Sequence, residues 1–165
     1  MKTLTRPLCL ISLLLNAALF GFFYAWVCST MWGLDAADPR VAIAAMQAMN
    51  ASVRNAIFAP AFFGSPVVLL ITTLVLAATA QRGAMAWFAA ATLLCALLGV
   101  ILTMAVNVPM NEALAQIVVP DDIDTARAIW FDYSPDWQFW NQIRTIATGA
   151  AVLCIGLGIT RLDPA

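Results

Sequence analysis

Apolar residues along the chain fall into four long runs, and polar residues collect between them. The run at 84–106 opens Ala84-Met85-Ala86-Trp87-Phe88 and carries no charge. At a helical rise of about 1.5 Å per residue it reaches about 34 Å, against about 30 Å for a bilayer hydrocarbon core. Three further runs, at 8–28, 62–80 and 143–160, also have the length of a span. None alternates with period two, and helices and closed barrels are the only structures that cross lipid. The pattern predicts an all-α fold, an integral membrane four-helix bundle forming one domain over residues 1–165. Ser65-Pro66 marks an alternative start for the second span, because proline is accepted in a first turn.

The polar stretches between the runs carry helix signals of their own. Asp38-Pro39 reads as an N-cap followed by proline at the first helical position, and Pro60 as the end of the segment. Between them, 41–58 has neither glycine nor proline, which predicts an extra amphipathic helix in the first long loop. Gln47, Asn50 and Arg54 recur at helical spacing and share its polar face. In the second long loop, Asp121-Asp122-Ile123-Asp124 predicts a short helix ending near Tyr133. Ser134-Pro135-Asp136 then reads as a new cap, first-turn proline and acidic first turn, leading into the last span.

Lys2 and Arg6 ahead of the first run resemble the start of a secretory signal. The run continues beyond the roughly 15 residues of a signal core, and Ala25-Trp26-Val27-Cys28 is a poor lipoprotein box. An uncleaved first helix is expected. Lys2, Arg6, Arg82 and Arg161 occupy the ends and the short turn, whereas every acid except Asp163 lies in the loops 35–61 and 107–142. Basic residues in short segments set topology, so both termini are expected on the cytoplasmic side, of the inner or plasma membrane in a bacterial cell. Trp26, Trp32, Trp130, Trp137 and Trp140 gather toward the opposite side, where an aromatic interface belt is the expectation for most of them.

Composition narrows the class further. The chain is 63% hydrophobic and 10% charged, with a net charge of −1. A soluble domain carries about twice that charge, and no basic patch points to nucleic acid. Histidine is absent, which excludes His-ligated haem, the usual zinc sites and the Ser-His-Asp triad. Cys9, Cys28, Cys95 and Cys154 form no C-x-x-C pair, so they read as small hydrophobes rather than redox thiols. Cys28 and Met31 alone do not make a soft copper site. No metal and no cofactor are expected.

The remaining chemistry lies in polar residues next to the spans. Asn107 and Asn111 are four apart across Pro109, which removes a backbone donor and kinks a helix. Asn141 and Arg144 share a face at the start of the last span. An asparagine in a span commonly serves helix-to-helix hydrogen bonding, and an arginine there either snorkels or is a buried cation. All four lie toward one side, with the first-loop helix, and can converge on one pocket.

Gly21-Phe22-Phe23-Tyr24-Ala25-Trp26, Met46-Gln47-Ala48-Met49-Asn50, Asn107-Val108-Pro109-Met110-Asn111 and Trp140-Asn141-Gln142-Ile143-Arg144-Thr145 together resemble the anthrone-oxygenase-like family of small four-span membrane proteins. The N-x-P-x-N and W-N-x-x-R-T blocks are the most specific parts. The resemblance implies an oxidoreductase that oxidises a polyketide anthrone with molecular oxygen and without an evident cofactor. Fungal members commonly carry a histidine, which this chain lacks.

Such an oxidation needs a deprotonated, electron-rich substrate and a dry site that stabilises the anion. Arg144 is the candidate counter-charge, with amide donors from Asn107, Asn111 and Asn141. Gln47, Asn50 and Arg54 are candidates for holding phenolic oxygens, and Trp140 for stacking on a flat ring. Glu112 is the candidate base, if burial raises its pKa. The expected partners are the lipid bilayer and a hydrophobic phenolic or quinone-like molecule, with a homo-oligomer left open. The rival reading is a non-catalytic scaffold, accessory subunit or lipid-binding protein, in which the amides only lock the bundle. A transporter is a poorer match, since four spans show neither inverted repeats nor paired broken helices. A cavity of roughly 300 Å³ or more beside the polar set separates the binding readings from the scaffold.

Overall fold

The computed structural model describes residues 2–163, all of whose regular elements are helical. Helix α1 (Lys2–Ala25) passes through a π-helical turn at Trp26–Thr30 into α2 (Met31–Asp35). The first loop holds α3 (Pro39–Ser52) and the short α4 (Phe58–Phe62). Then come α5 (Gly64–Ala78) and α6 (Arg82–Leu93). The rod begun by α6 continues through π-helical stretches at Leu94–Ile101 and Thr103–Asn107 into α7 (Val108–Ala115). The last element, α8 (Ile123–Thr160), is one helix of 38 residues. Helix α1 packs on α5 and α8, and α6 packs on the same two, so four rods close a ring.

Three of these rods, Leu4–Asp35, Arg82–Ala115 and Ile123–Thr160, are long and apolar enough to cross a membrane. Helix α5 is apolar but shorter, so the expected second span at 62–80 shrinks to Gly64–Ala78. Phe62 is already the end of α4, and Pro66 stands in the first turn of α5. The chain reverses at 79–81 with Ala80 at φ 60°, a conformation that glycine adopts more readily. Leu70, Leu74, Leu97, Ile101 and Leu153 are exposed on the rods. An apolar surface this continuous is stable against hydrocarbon rather than water.

Inside the ring, Leu19, Leu69, Leu76, Phe88 and Ile155 are fully buried. Gly158 lets α8 approach α6, because a Cβ there would lie 2.7 Å from Phe88 Cδ2. Polar links occur where backbones are close: Ser12 and Thr72 share a hydrogen bond of 2.9 Å between α1 and α5, and Thr73 and Thr92 one of 3.2 Å between α5 and α6.

Local signals decide the first loop. The Asp38 carboxylate accepts from Arg40 N and caps α3. Hydrogen bonds from the Arg40 side chain and backbone hold that carboxyl down at about 2. The cap keeps its charge above that pH and loses it only as the pH falls toward 2. The helix expected over 41–58 ends at Ser52. Asn55 is the reason: its Oδ1 accepts from Ile57 N and Phe58 N, and its Nδ2 donates to Ser52 O, so the side chain substitutes for helical backbone bonds. Pro60, expected to close the segment, sits inside α4.

The second loop departs further. Ser134-Pro135 does not start a helix, because Pro135 lies inside α8. Asp35, at the end of α2, holds that stretch together. Its Oδ1 accepts from Trp130 Nε1 at 2.9 Å and Ser134 Oγ at 2.7 Å, and its Oδ2 from Gln138 Nε2 at 2.9 Å. These donors stand one turn apart and bracket the proline. A carboxylate from another element thus staples the helix where its own ladder lacks a donor. The helix starts instead at Asp122, whose side chain caps Thr125 N.

Candidate functional site

A cavity of about 590 Å³ opens between α1, the α3–α4 segment, the π-helical part of the third rod and α8. Phe22, Phe23, Trp26, Phe58, Phe62 and Trp137 supply its aromatic walls. Asn50, Thr103, Asn111 and Arg144 also line it, and Arg54 and Glu112 stand at one rim.

The π-turns place several of these groups. Pro109 has no N–H, and the wider turn ahead of it lets Val108 N reach back to Thr103 O. The Thr103 hydroxyl donates to Gly99 O at 2.6 Å and accepts from Arg144 Nη1 at 3.2 Å. The π-turn at Trp26–Thr30 closes similarly, with Met31 N donating to Trp26 O. Trp26 then packs on Trp137, ring centroids 5.1 Å apart.

Arg144 is only 4% exposed. Its Nε donates to Asn141 Oδ1 at 2.9 Å, and its guanidinium carbon lies 4.3 Å from the Phe23 ring centroid and 5.0 Å from that of Trp137. Its acceptors are all neutral, and among the described residues no carboxylate pairs with it. Arg54 and Glu112 are paired with each other at 3.2 Å and are the cavity's other charged groups. The lining therefore keeps one uncompensated positive charge, walled by rings and facing the cavity. A charge at depth in a bilayer costs about 2.5–3.5 kcal/mol or more unless something offsets it.

The other candidates divide into three groups. Asn111 lines the cavity, and its Oδ1 accepts from Tyr133 Oη and Trp137 Nε1, both at 2.8 Å. Asn50 lines it too, with its side-chain amide beside the Tyr133 hydroxyl. Asn141 and Asn107 are buried beside it rather than in its wall. Asn141 orients Arg144 and donates to Phe23 O at 3.2 Å, while Asn107 donates to Trp137 O at 3.4 Å. Gln47 is elsewhere, because its Nε2 donates to Leu114 O and Ile117 O and so satisfies the end of α7.

Three expectations need correction. Trp140 does not line the cavity; it is half-buried against Phe139, and Trp137 lines the cavity instead. Glu112 is exposed and paired with Arg54, so the burial argument for a base fails. Trp26, Trp130 and Trp137 are buried within the protein and so are not a lipid-facing belt, although Trp32 is 67% exposed.

Tyr133, Trp137, Trp26, Phe23 and Thr103 were not among the sequence candidates. A signal for two of them existed: Tyr133, Trp137, Asn141, Arg144 and Thr148 recur every three or four residues and form one buried stripe of α8. Among the described residues no three of Cys, Asp and Glu gather as a metal site, and the four cysteines are free thiols.

A profile of the anthrone oxygenase family matches residues 54–154. No curated protein and no solved structure matches the chain. The matched stretch runs from Arg54 through Asn111, Glu112 and Trp137 to Arg144 and beyond, and it covers more than half of the sequence. The chain belongs to the anthrone oxygenase family.

Proposed function

We propose that this protein binds a hydrophobic phenolic or quinone-like molecule in the cavity and oxygenates it without a metal or organic cofactor. The observation that carries the reading is Arg144, a buried cation that no carboxylate pairs among the described residues, facing an aromatic-walled space large enough for a small ligand. An ionised phenol or enol would supply the missing charge. Trp137 and Trp26 would flank its ring, and Asn111, whose Oδ1 is already taken, would offer its Nδ2 to a second oxygen. Asn141 acts as a positioning residue for the guanidinium.

The chemistry follows from that placement. Arg144 stabilises the substrate anion, which makes an activated ring methylene easier to deprotonate. The carbanion adds to dioxygen, forming a carbon–oxygen bond and, after protonation, a hydroperoxide. Loss of the second proton from that carbon, with cleavage of the O–O bond, leaves a ketone and releases one water. Dioxygen is thereby reduced, one atom to the carbonyl and one to water, and the methylene is oxidised. Glu112, the lining carboxylate, stands at the rim, where it can pass protons to solvent.

The direct test is oxygen uptake by the detergent-purified chain with an anthrone-type substrate and a phenolic panel. Stoichiometric uptake with formation of the ketone is the expected result. Saturable binding without uptake would leave a binding protein, and neither would return the scaffold reading.

We also place both termini on the cytoplasmic side, supported by the basic residues at the ends and by Arg82, which follows the 79–81 turn. Gly83 and Arg161 approach each other, so the turn and the end of α8 share one side of the bundle. Reporter fusions after residue 82 and at the C-terminus should both report cytoplasm. An opposite signal at either site refutes this orientation.

A further inference from the structure

The cavity has two rims of opposite character. At one, Arg54 and Glu112 form an ion pair with side chains 59% and 58% exposed, and Asn55 lies beside them. At the other, Phe63 and Met104 line the cavity while being 55% and 47% exposed. Phe63 caps α4 immediately before α5, and Met104 lies in the π-turn of the third rod. Their exposed neighbours are Val67, Leu70 and Leu74 on α5 and Leu97 and Ile101 on the third rod. This rim is therefore continuous with the apolar outer surface of two rods, a surface that hydrocarbon covers and water does not.

Resting on the binding reading above, we propose that the cavity is loaded sideways from the bilayer through a portal between Phe63 and Met104. The substrate class follows: an acidic amphiphile that partitions into membrane, with its ionisable oxygen at Arg144 and its apolar end in the portal. Charge and polarity agree with this direction. The portal offers no polar group to the ligand, whereas the opposite rim is bridged by an ion pair that ties α7 to the α3–α4 turn. A neutral phenol crosses the apolar portal and ionises only beside Arg144, its proton leaving to solvent at the Arg54–Glu112 rim, so no charge has to pass through lipid.

The test uses the full chain in liposomes and an octyl-substituted nitrophenol as probe. Bound nitrophenol should quench the cavity tryptophans, Trp26 and Trp137. The portal is blocked reversibly in a Cys28→Ser, Met104→Cys variant by a bulky methanethiosulfonate and reopened with reductant. Cys28→Ser, Leu74→Cys is the control for a label on the same outer surface. Loading should scale with the mole fraction of probe in the bilayer. It should slow about tenfold or more on labelling at position 104, recover on reduction, and stay unchanged on labelling at position 74. Unchanged loading with the position-104 label, while quenching persists, overturns the portal and leaves the cavity reading standing. Absence of saturable quenching in the unlabelled chain overturns both.

Discussion

Replacing Arg144 by methionine should lower turnover or ligand affinity by about a hundredfold or more, yet shift stability by no more than about 2 kcal/mol. The two effects separate because the guanidinium is poorly compensated in the free protein. It costs about 2.5–3.5 kcal/mol to hold a cation at depth in a bilayer. Two hydrogen bonds to neutral acceptors and two ring contacts offset that cost, at about 1.5–3 kcal/mol for a charged hydrogen bond and about 0.5–2 for a cation–ring contact. At the low end of those ranges the offsets come to about 4 kcal/mol, within about 1.5 kcal/mol of the cost, and methionine fills most of the space. Thermal unfolding in detergent, beside oxygen uptake or probe binding, measures both sides. Loss of the fold in Arg144→Met, with full binding by any folded fraction, would make Arg144 a structural residue and remove the basis of the functional reading.

Asn111 should show the opposite division. Asn111→Leu leaves Tyr133 Oη and Trp137 Nε1 without their shared acceptor. Each buried donor left unpaired costs about 1–3 kcal/mol, so the expected loss is about 2–6 kcal/mol, with Trp137 released from its place in the wall. Asn111→Asp retains both acceptor bonds and should fold, but its carboxylate cancels the charge of the lining. Binding of an anion should then fall about tenfold or more while a neutral analogue binds as before. Equal losses for anion and neutral analogue would show that the charge of the lining does not select the ligand.

The spans and the polar residues beside them were legible in the sequence because the energetics are one-sided. A long apolar run has few alternatives to a membrane helix, and Arg144 beside such a run must find a partner or an opening. What could not be read was phase and ending. Pro135 follows serine and precedes aspartate, which locally spells a helix start. Only Asp35, a hundred residues earlier in the chain, makes continuation through the proline favourable. A boundary at Ser134 would separate Tyr133 from Trp137 and Arg144 and so break the buried stripe at its first member. The end of α3 depended on Asn55 bonding to its own backbone neighbours, which a count of apolar positions does not register. Tryptophans near a membrane boundary read as a belt by composition, and Trp26 and Trp137 differ from Trp32 only in which face of a long helix they occupy.

The π-turn at Thr103–Asn107 has a consequence for how such a site can arise or disappear. Each residue of an α-helix advances the direction of its side chain by about 100°, and a π-turn accommodates about one residue beyond the α-helical count. Losing a single codon within 103–107 would therefore re-phase the whole of α7, carrying Asn111 away from Tyr133 and Trp137 and Glu112 away from Arg54. Related bundles could differ by that one position, share every span, and have no common pocket chemistry. Similarity over the apolar runs is then a weak guide to shared activity in this architecture, and the register between Thr103 and Asn111 is the stronger one.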